Sequence, residues 1–174
     1  MKFEETETYK NLQKALQGEA LAHLKYQWYK SQLSDFNKGY DNILDEIIHN
    51  EKEHGKIWFK TLHDGMPNNN ENLLDAIAGE TYEATEMYID FGNTANREGF
   101  TDIAKLFLMV ANIEKHHAEK FKGIQEEINN DLFKGNEDTV WKCLNCGHIV
   151  KRKEAPVECP VCNHPQKYFT KKEE

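Results

Sequence analysis

An all-α four-helix bundle followed by a small metal-held β/loop module is the fold class that the sequence predicts, and three observations predict it. Residues 4–132 carry helical apolar periodicity, broken at three places by turn-forming residues. Each of the four helical stretches has an acid inside its own apolar stripe. All four cysteines fall between Cys143 and Cys162, in two pairs of identical spacing.

A chain of 174 residues suits one medium domain, or a domain with a small appendage. With 22 Lys+Arg against 30 Asp+Glu the formal charge is −8, which argues against a nucleic-acid surface, since phosphate binding needs clustered cations. The acid excess belongs to residues 1–136, which carry 15 Lys+Arg against 24 Asp+Glu, whereas residues 137–174 carry 7 against 6. No stretch approaches the ~20 apolar residues of a membrane span, and the segment from Met1 to Lys10 is charged rather than signal-like. The expected compartment is the cytoplasm, where cysteines crowded in this way read as metal ligands rather than as disulfides.

The three breaks are residues 34–39, residues 64–70 and residues 97–101. The first helix has a seam of Leu12, Leu16, Glu19, His23 and Tyr26, and the second one of Ile43, Ile47, Glu51, His54, Trp58 and Leu62. The third runs through Leu73, Ile77, Glu80, Glu83, Ala84, Met87 and Phe91. The fourth runs through Ile103, Leu106, Val110, Glu114, His117, Phe121, Ile124 and Ile128. A polar stretch at 134–138 then gives way to short aromatic and β-branched runs around the cysteines, so the expected domains are residues 1–134 and 139–174.

A Glu buried alone in a bundle core would be heavily penalised by desolvation, so acids on four seams at once call for a shared cation. Residues at i and i+3 lie one helical turn apart, which lets Glu51 bridge two metals while His54 binds one end; Glu114 and His117 repeat the device. One Glu from each of two helices and a Glu-x-x-His from each of the other two is the recipe of carboxylate-bridged di-metal bundles, and Glu19 and Glu80 fill the first role. Glu83 is a further candidate ligand. Glu53 and His116 point about 200° away from Glu51 and Glu114 and should face solvent, and Glu86 has drifted a further ~60° around its helix. His23 and Tyr26 read as packing groups or as supports beside the metals. His49, His63 and His164 read as surface residues.

Cys143-x-x-Cys146 and Cys159-x-x-Cys162 are two knuckles that close a tetrahedral four-thiolate site. Zinc and iron both fit such sulfur ligation. Trp141, Tyr168 and Phe169 supply a small aromatic core over the site.

At these residues the chain resembles the rubrerythrins, over nearly its whole length. The matching segments are Gln17-Gly18-Glu19-Ala20, Asn50-Glu51-Lys52-Glu53-His54, Ala78-Gly79-Glu80-Thr81-Tyr82-Glu83, Ile113-Glu114-Lys115-His116-His117 and Trp141-Lys142-Cys143-Leu144-Asn145-Cys146-Gly147, with Cys159-Pro160-Val161-Cys162 in the tail. The resemblance implies a ferritin-like four-helix bundle with a rubredoxin-like tail, acting as a non-haem di-iron peroxidase that reduces hydrogen peroxide to water in oxidative-stress protection. It implies that Glu19, Glu51, Glu80, Glu83, Glu114 and His117 hold the oxidised iron pair, and that one iron leaves Glu83 for His54 on reduction. It further implies that Cys143, Cys146, Cys159 and Cys162 hold one electron-transfer iron. Tyr26 and Tyr82 are candidates for assisting protonation, and His148 stands where relatives often carry Tyr. The implied electron donor is an NADH-dependent flavoprotein reductase, directly or through rubredoxin. Two other functions use part of the same equipment: iron oxidation and storage by the bundle alone, and a sensor or interaction protein whose tail is a zinc ribbon.

In the ferritin-like topology the second and third helices run parallel, so their connection must travel back along the bundle. From residue 63 to residue 72 it must cover ~30 Å, including a ~10 Å sideways step, which is about its full stretch. A homodimer is expected, with a helix-swapped form in which helices one and two of one chain complete the bundle of another.

Overall fold

The computed structural model describes residues 2–172. Its elements come in the order that the turn signals set. Helix α1, Glu7–Phe36, starts where the Thr6 side chain accepts the backbone N–H of Tyr9, an N-cap that satisfies one of the free donors of the first turn. It ends at Asn37, whose Oδ1 accepts the N–H of Gly39 and shapes the short turn Lys38–Tyr40. Helix α2, Asp41–Leu62, follows at once.

By internal contacts the chain divides into two compact units, Met1–Asn68 and Asn69–Glu174. In the first, α1 and α2 form an antiparallel hairpin: Lys30 pairs with Asp45, the His23 ring meets the Ile48 carbonyl, and Leu16 and Glu19 lie against Gly55. Ile48 and Gly55 are the buried positions of α2 and face α1.

The second unit holds α3, Asn69–Tyr82, a π-helical segment, Glu83–Met87, α4, Tyr88–Arg97, and α5, Thr101–Asn129. The rod expected as one third helix is therefore continuous but widened in its middle. Gly99, with φ 87, reverses the chain between α4 and α5, and the Phe100 N–H closes back on the Ala95 carbonyl at 2.8 Å. Buried Ala104, Ala111 and Ala118 recur every seven residues on α5 and let the rods approach closely. Gly92 belongs to the same seam, for a Cβ there would lie 3.4 Å from Leu108.

Beyond α5 stand three short strands, β1 Val140–Cys143, β2 Ile149–Lys151 and β3 Phe169–Lys171, in the order β2-β1-β3 with both pairings antiparallel. Trp141, Cys143, Ala155, Cys159 and Phe169 form the core of this module, with Phe133 and Tyr168 packed against it. The Trp141 indole donates to the Arg152 carbonyl at 2.9 Å, which satisfies its one polar atom. The mostly helical chain, with four helical rods and a C-terminal strand region around four cysteines, matches the predicted class. Among the described residues no helix is long and apolar enough to cross a membrane.

Candidate metal centres

On the α1–α2 hairpin, Glu19, Glu51 and His54 offer ligand atoms that lie within 4.8 Å of one another. His54 Nδ1 is 3.1 Å from Glu51 Oε2 and 3.7 Å from Glu19 Oε2. Close approach at Gly55 brings Glu19 to this level of α2. Glu19 and then His54, as hydrogen-bond partners, hold the Glu51 carboxyl below its ordinary value. His23 Nδ1 sits 2.9 Å from the Ile48 carbonyl, so it carries the proton, and Nε2 is left to accept from the Gln27 amide. That makes His23 a clasp between the two helices. Tyr26 is half-buried with its ring 6.1 Å from that of Tyr29.

In the second unit Glu80, Glu114 and His117 form the matching group. His117 Nδ1 is 2.7 Å from Glu114 Oε2 and 3.4 Å from Glu80 Oε2. Glu80 Oε2 is buried and has no hydrogen-bond partner among the described residues. Burial first, then the adjacent Glu114, raise the Glu80 pKa above its ordinary value. Two crowded carboxylates, one with a buried oxygen whose contact with His117 is long and poorly aligned for a hydrogen bond, beside a neutral-capable imidazole are a donor set that a divalent iron would relieve.

Glu83 lies outside that three-residue group, as the first residue of the π segment, and is half-buried. Tyr82 is exposed. Tyr88, which the sequence reading passed over, is half-buried, and its phenol is raised in pKa by burial and then by Glu83, Glu114 and Glu80. The miss has a geometric cause. At α-helical pitch residue 88 points about 140° away from residue 83, whereas the π turn closes an i to i+5 bond and brings it back beneath Glu83. A Tyr five residues after the last acid of the seam was the available signal.

Of the residues expected to face solvent, His116 is exposed and meets Glu119 at 3.3 Å, whereas Glu53 is half-buried and pairs with Lys56. His49 is exposed, and His63 stacks on Phe59 with ring centroids 4.4 Å apart. His164 differs from a free surface residue, because it is half-buried with its ring 4.5 Å from that of Tyr168 and Nδ1 3.1 Å from the Cys162 carbonyl.

The four cysteines come together as one cluster. Sγ of Cys143 is 3.7 Å from that of Cys162, and Sγ of Cys146 is 3.7 Å from that of Cys159. A tetrahedron with metal–sulfur bonds of about 2.3 Å has edges of about 3.8 Å, so the sulfurs already stand at the spacing that a metal demands. The two knuckles are built alike. Cys143 N–H bonds the His148 carbonyl and Gly147 N–H the Cys143 carbonyl; Cys159 N–H bonds the His164 carbonyl and Asn163 N–H the Cys159 carbonyl. Gly147 (φ 77) and Asn163 (φ 57) occupy the corresponding left-handed turns. A backbone hydrogen bond at His148 pulls the Cys146 thiol down, but desolvation and the three neighbouring sulfurs outweigh it and push the thiol up to about 12. Four thiols so close cannot all ionise without a cation among them.

The family model described as Rubrerythrin matches residues 10–125 and again 71–146, and that described as Rubrerythrin, rubredoxin-like domain matches residues 141–170. The chain belongs to the rubrerythrin family. Among the rubrerythrins it is 35% identical to rubrerythrin-1 of Clostridium acetobutylicum, with 94% of this chain and 93% of that one covered. It is 34% identical to the rubrerythrin of Porphyromonas gingivalis, with 94% and 89% covered. The first alignment runs over 184 positions while 94% of 174 residues is about 164, so about 20 positions of that rubrerythrin have no counterpart here. A solved structure of mixed-valence nigerythrin matches at 26% identity over 96% of this chain and 87% of that one, with a TM-score of 0.36. As a rubrerythrin the chain is a di-iron oxidative-stress protein with a second, four-cysteine iron site.

Proposed function

We propose that this rubrerythrin is a peroxidase that reduces hydrogen peroxide to water with electrons passed through its four-cysteine iron. The observation that carries the reading is the presence, in one chain, of two carboxylate–imidazole groups and a ready-spaced four-thiolate site. An iron-storage protein has no use for the latter, and a zinc-ribbon protein has none for the former.

In this reading residues 1–134 form the bundle domain and residues 139–174 the electron-carrying domain. Glu19, Glu51, Glu80, Glu83, Glu114 and His117 would hold the oxidised iron pair, with His54 available in place of Glu83 for the reduced one; Cys143, Cys146, Cys159 and Cys162 would hold the single iron. When bound and reduced, the pair supplies two electrons to the O–O bond of peroxide. Two protons must also arrive, so that one peroxide yields two waters. Burial, and then the charges of Glu83, Glu114 and Glu80, hold the Tyr88 phenol in its protonated form, so it stands with Tyr26 and Tyr82 as a group that holds or hands on a proton. Replacement of a carboxylate by an imidazole would remove one negative charge, offsetting one of the two positive charges that the pair would lose on taking up two electrons. Electrons come from an NADH-dependent flavoprotein reductase, through rubredoxin or directly, and the setting is the cytoplasm.

The test is anaerobic reduction of the iron-loaded protein followed by stopped-flow mixing with peroxide. Rapid return of the thiolate-to-iron absorption, lost in Glu83→Ala and in Cys159→Ser, is expected. Absorption indifferent to peroxide would overturn the reading.

A further inference from the structure

We infer that the site also accepts amphipathic organic hydroperoxides, in which an alkyl chain carries the hydroperoxide and ends in a carboxylate, through an apolar pocket on the α1–α2 hairpin. This rests on the peroxidase reading and names a further class of substrate for the same site. The pocket has a volume of about 450 Å³, and Glu51, a member of the Glu19, Glu51 and His54 group, forms part of its wall. Leu16, Ala20 and Leu24 line it from α1, and Phe59 lines it from α2. Hydrogen peroxide is small and polar at both ends, so apolar walls offer it nothing. A mostly apolar hollow of this size with a few polar groups is what an organic ligand requires.

The pocket lies beside the direction in which the acids face. Each helix gives it the residue one after its own Glu, Ala20 and Lys52, and the residue five after, Leu24 and Lys56. These stand about 100° and 140° round from Glu19 and Glu51, so the pocket opens on the flank of the hairpin. Gly55 keeps its floor clear: a Cβ there would meet Glu19 at 3.7 Å and Leu16 at 3.8 Å, and a longer side chain would fill the way between them. After α2 the chain turns at Asp64 (φ 52) and Gly65 (φ 126), with the Gly65 N–H tied to the Lys60 carbonyl at 2.8 Å, and Met66 returns to line the same pocket. Its unbranched thioether adapts to alkyl chains of differing shape.

Charge selects the kind of occupant. Lys52 and Lys56 are exposed, and the acid paired with them among the described residues is Glu53, 3.6 Å from Lys56. Two ammonium groups beside an apolar wall call for an anionic head on an apolar chain. With its carboxylate at the lysines, the alkyl chain lies along Leu24, Phe59 and Met66, and the hydroperoxide reaches the end of the pocket that Glu51 lines. There the O–O bond is broken by the same two electrons that hydrogen peroxide would take. Two protons complete the balance, the alkyl oxygen leaving as an alcohol and the terminal oxygen as water.

The test has two arms, both on the full-length, iron-loaded protein. In the first, isothermal titration calorimetry measures the binding of oleate, which has the chain and the carboxylate but no peroxide. Saturable binding is expected, weakened at least about 10-fold by Ala20→Phe, which fills the pocket, and by Lys52→Gln with Lys56→Gln, which removes its charge. No binding, or binding that either variant leaves unchanged, overturns the proposal. In the second arm the anaerobically reduced protein is mixed in the stopped flow with linoleic acid hydroperoxide or with hydrogen peroxide. Ala20→Phe is expected to raise the half-saturating concentration of the organic peroxide by a similar factor and to leave the rate with hydrogen peroxide at the wild-type level. Equal effects on both peroxides overturn the assignment of the pocket. Reoxidation by hydrogen peroxide alone overturns this proposal and spares the peroxidase reading, whereas indifference to both peroxides overturns the two together.

Discussion

Tyr88 donates its backbone N–H to the carbonyl of Glu83, five residues earlier, and the widened turn brings its phenol, whose pKa burial and then the Glu83 charge raise, towards the side of the helix that carries Glu83. The widened turn leaves Glu83 on a segment whose backbone is less tightly wound than the α-helix on either side. Tyr88→Phe removes the hydroxyl and keeps the ring that packs 6.0 Å from Phe107. Iron content and melting temperature are expected to stay at the wild-type level. Peroxide reduction, followed by stopped-flow absorption, is expected to slow by about 100-fold, the lower end of the range for a lost proton donor. An unchanged rate would remove Tyr88 from the proton path.

The two carboxylate groups titrate in opposite directions in the metal-free protein. Burial raises the folded-state pKa of Glu80 above 4.5, so its contribution to stability is complete at lower pH and is lost as pH rises through the raised value. Hydrogen bonding from Glu19 and His54 lowers that of Glu51, so its contribution is present above 4.5 and is lost as pH falls through the lowered value. Relative to wild type, apo Glu80→Gln should therefore gain melting temperature between pH 4.5 and pH 7, and apo Glu51→Gln should not. Thermal unfolding at a series of pH values checks both signs.

Removal of the tail metal should unfold the tail and spare the helices. Cys143 and Cys159 are fully buried members of the module core, so the metal and the core are one structure. A module this small cannot bury enough apolar surface to stand without a cross-link or a metal. Cys159→Ser, or chelation of the wild type, is expected to abolish hydrogen-exchange protection in β1, β2 and β3 while the amides of α1 to α5 stay protected. Persistent protection of Trp141 and Phe169 in the metal-free protein would contradict this.

The twin knuckles predict unequal responses to twin substitutions. Gly147→Ala forces a Cβ into the left-handed region and should cost about 1 kcal/mol. Asn163→Gly relaxes the same conformation at the equivalent place and should be neutral to within about 0.5 kcal/mol. Denaturant titration of the metal-loaded protein, read at Trp141, measures the difference.

Much of the fold was legible because its signals are local. The residues 34–39 and the break at 97–101 with its Gly99 mark helix ends within a few residues of themselves, and the structure stops and starts helices there, whereas the Thr6 cap that begins α1 was not read from the sequence. The tail core also followed from its spacing, with Trp141 and Phe169 packed on the cysteines, although Phe133 and Ala155 gave no sequence sign of joining it. Two Glu-x-x-His motifs and two Cys-x-x-Cys motifs announce their groupings because i, i+3 spacing puts such residues on one side of a turn whatever surrounds them. Sequence alone thus determined the helix order, the metal-binding chemistry and the family. Tertiary structure decided what depends on backbone detail and on comparing distant elements: the π turn that turns Tyr88 towards the side of Glu83, and the approach at Gly55 that levels Glu19 with His54, because neither a widened turn nor a close helix crossing leaves a periodic trace in the sequence.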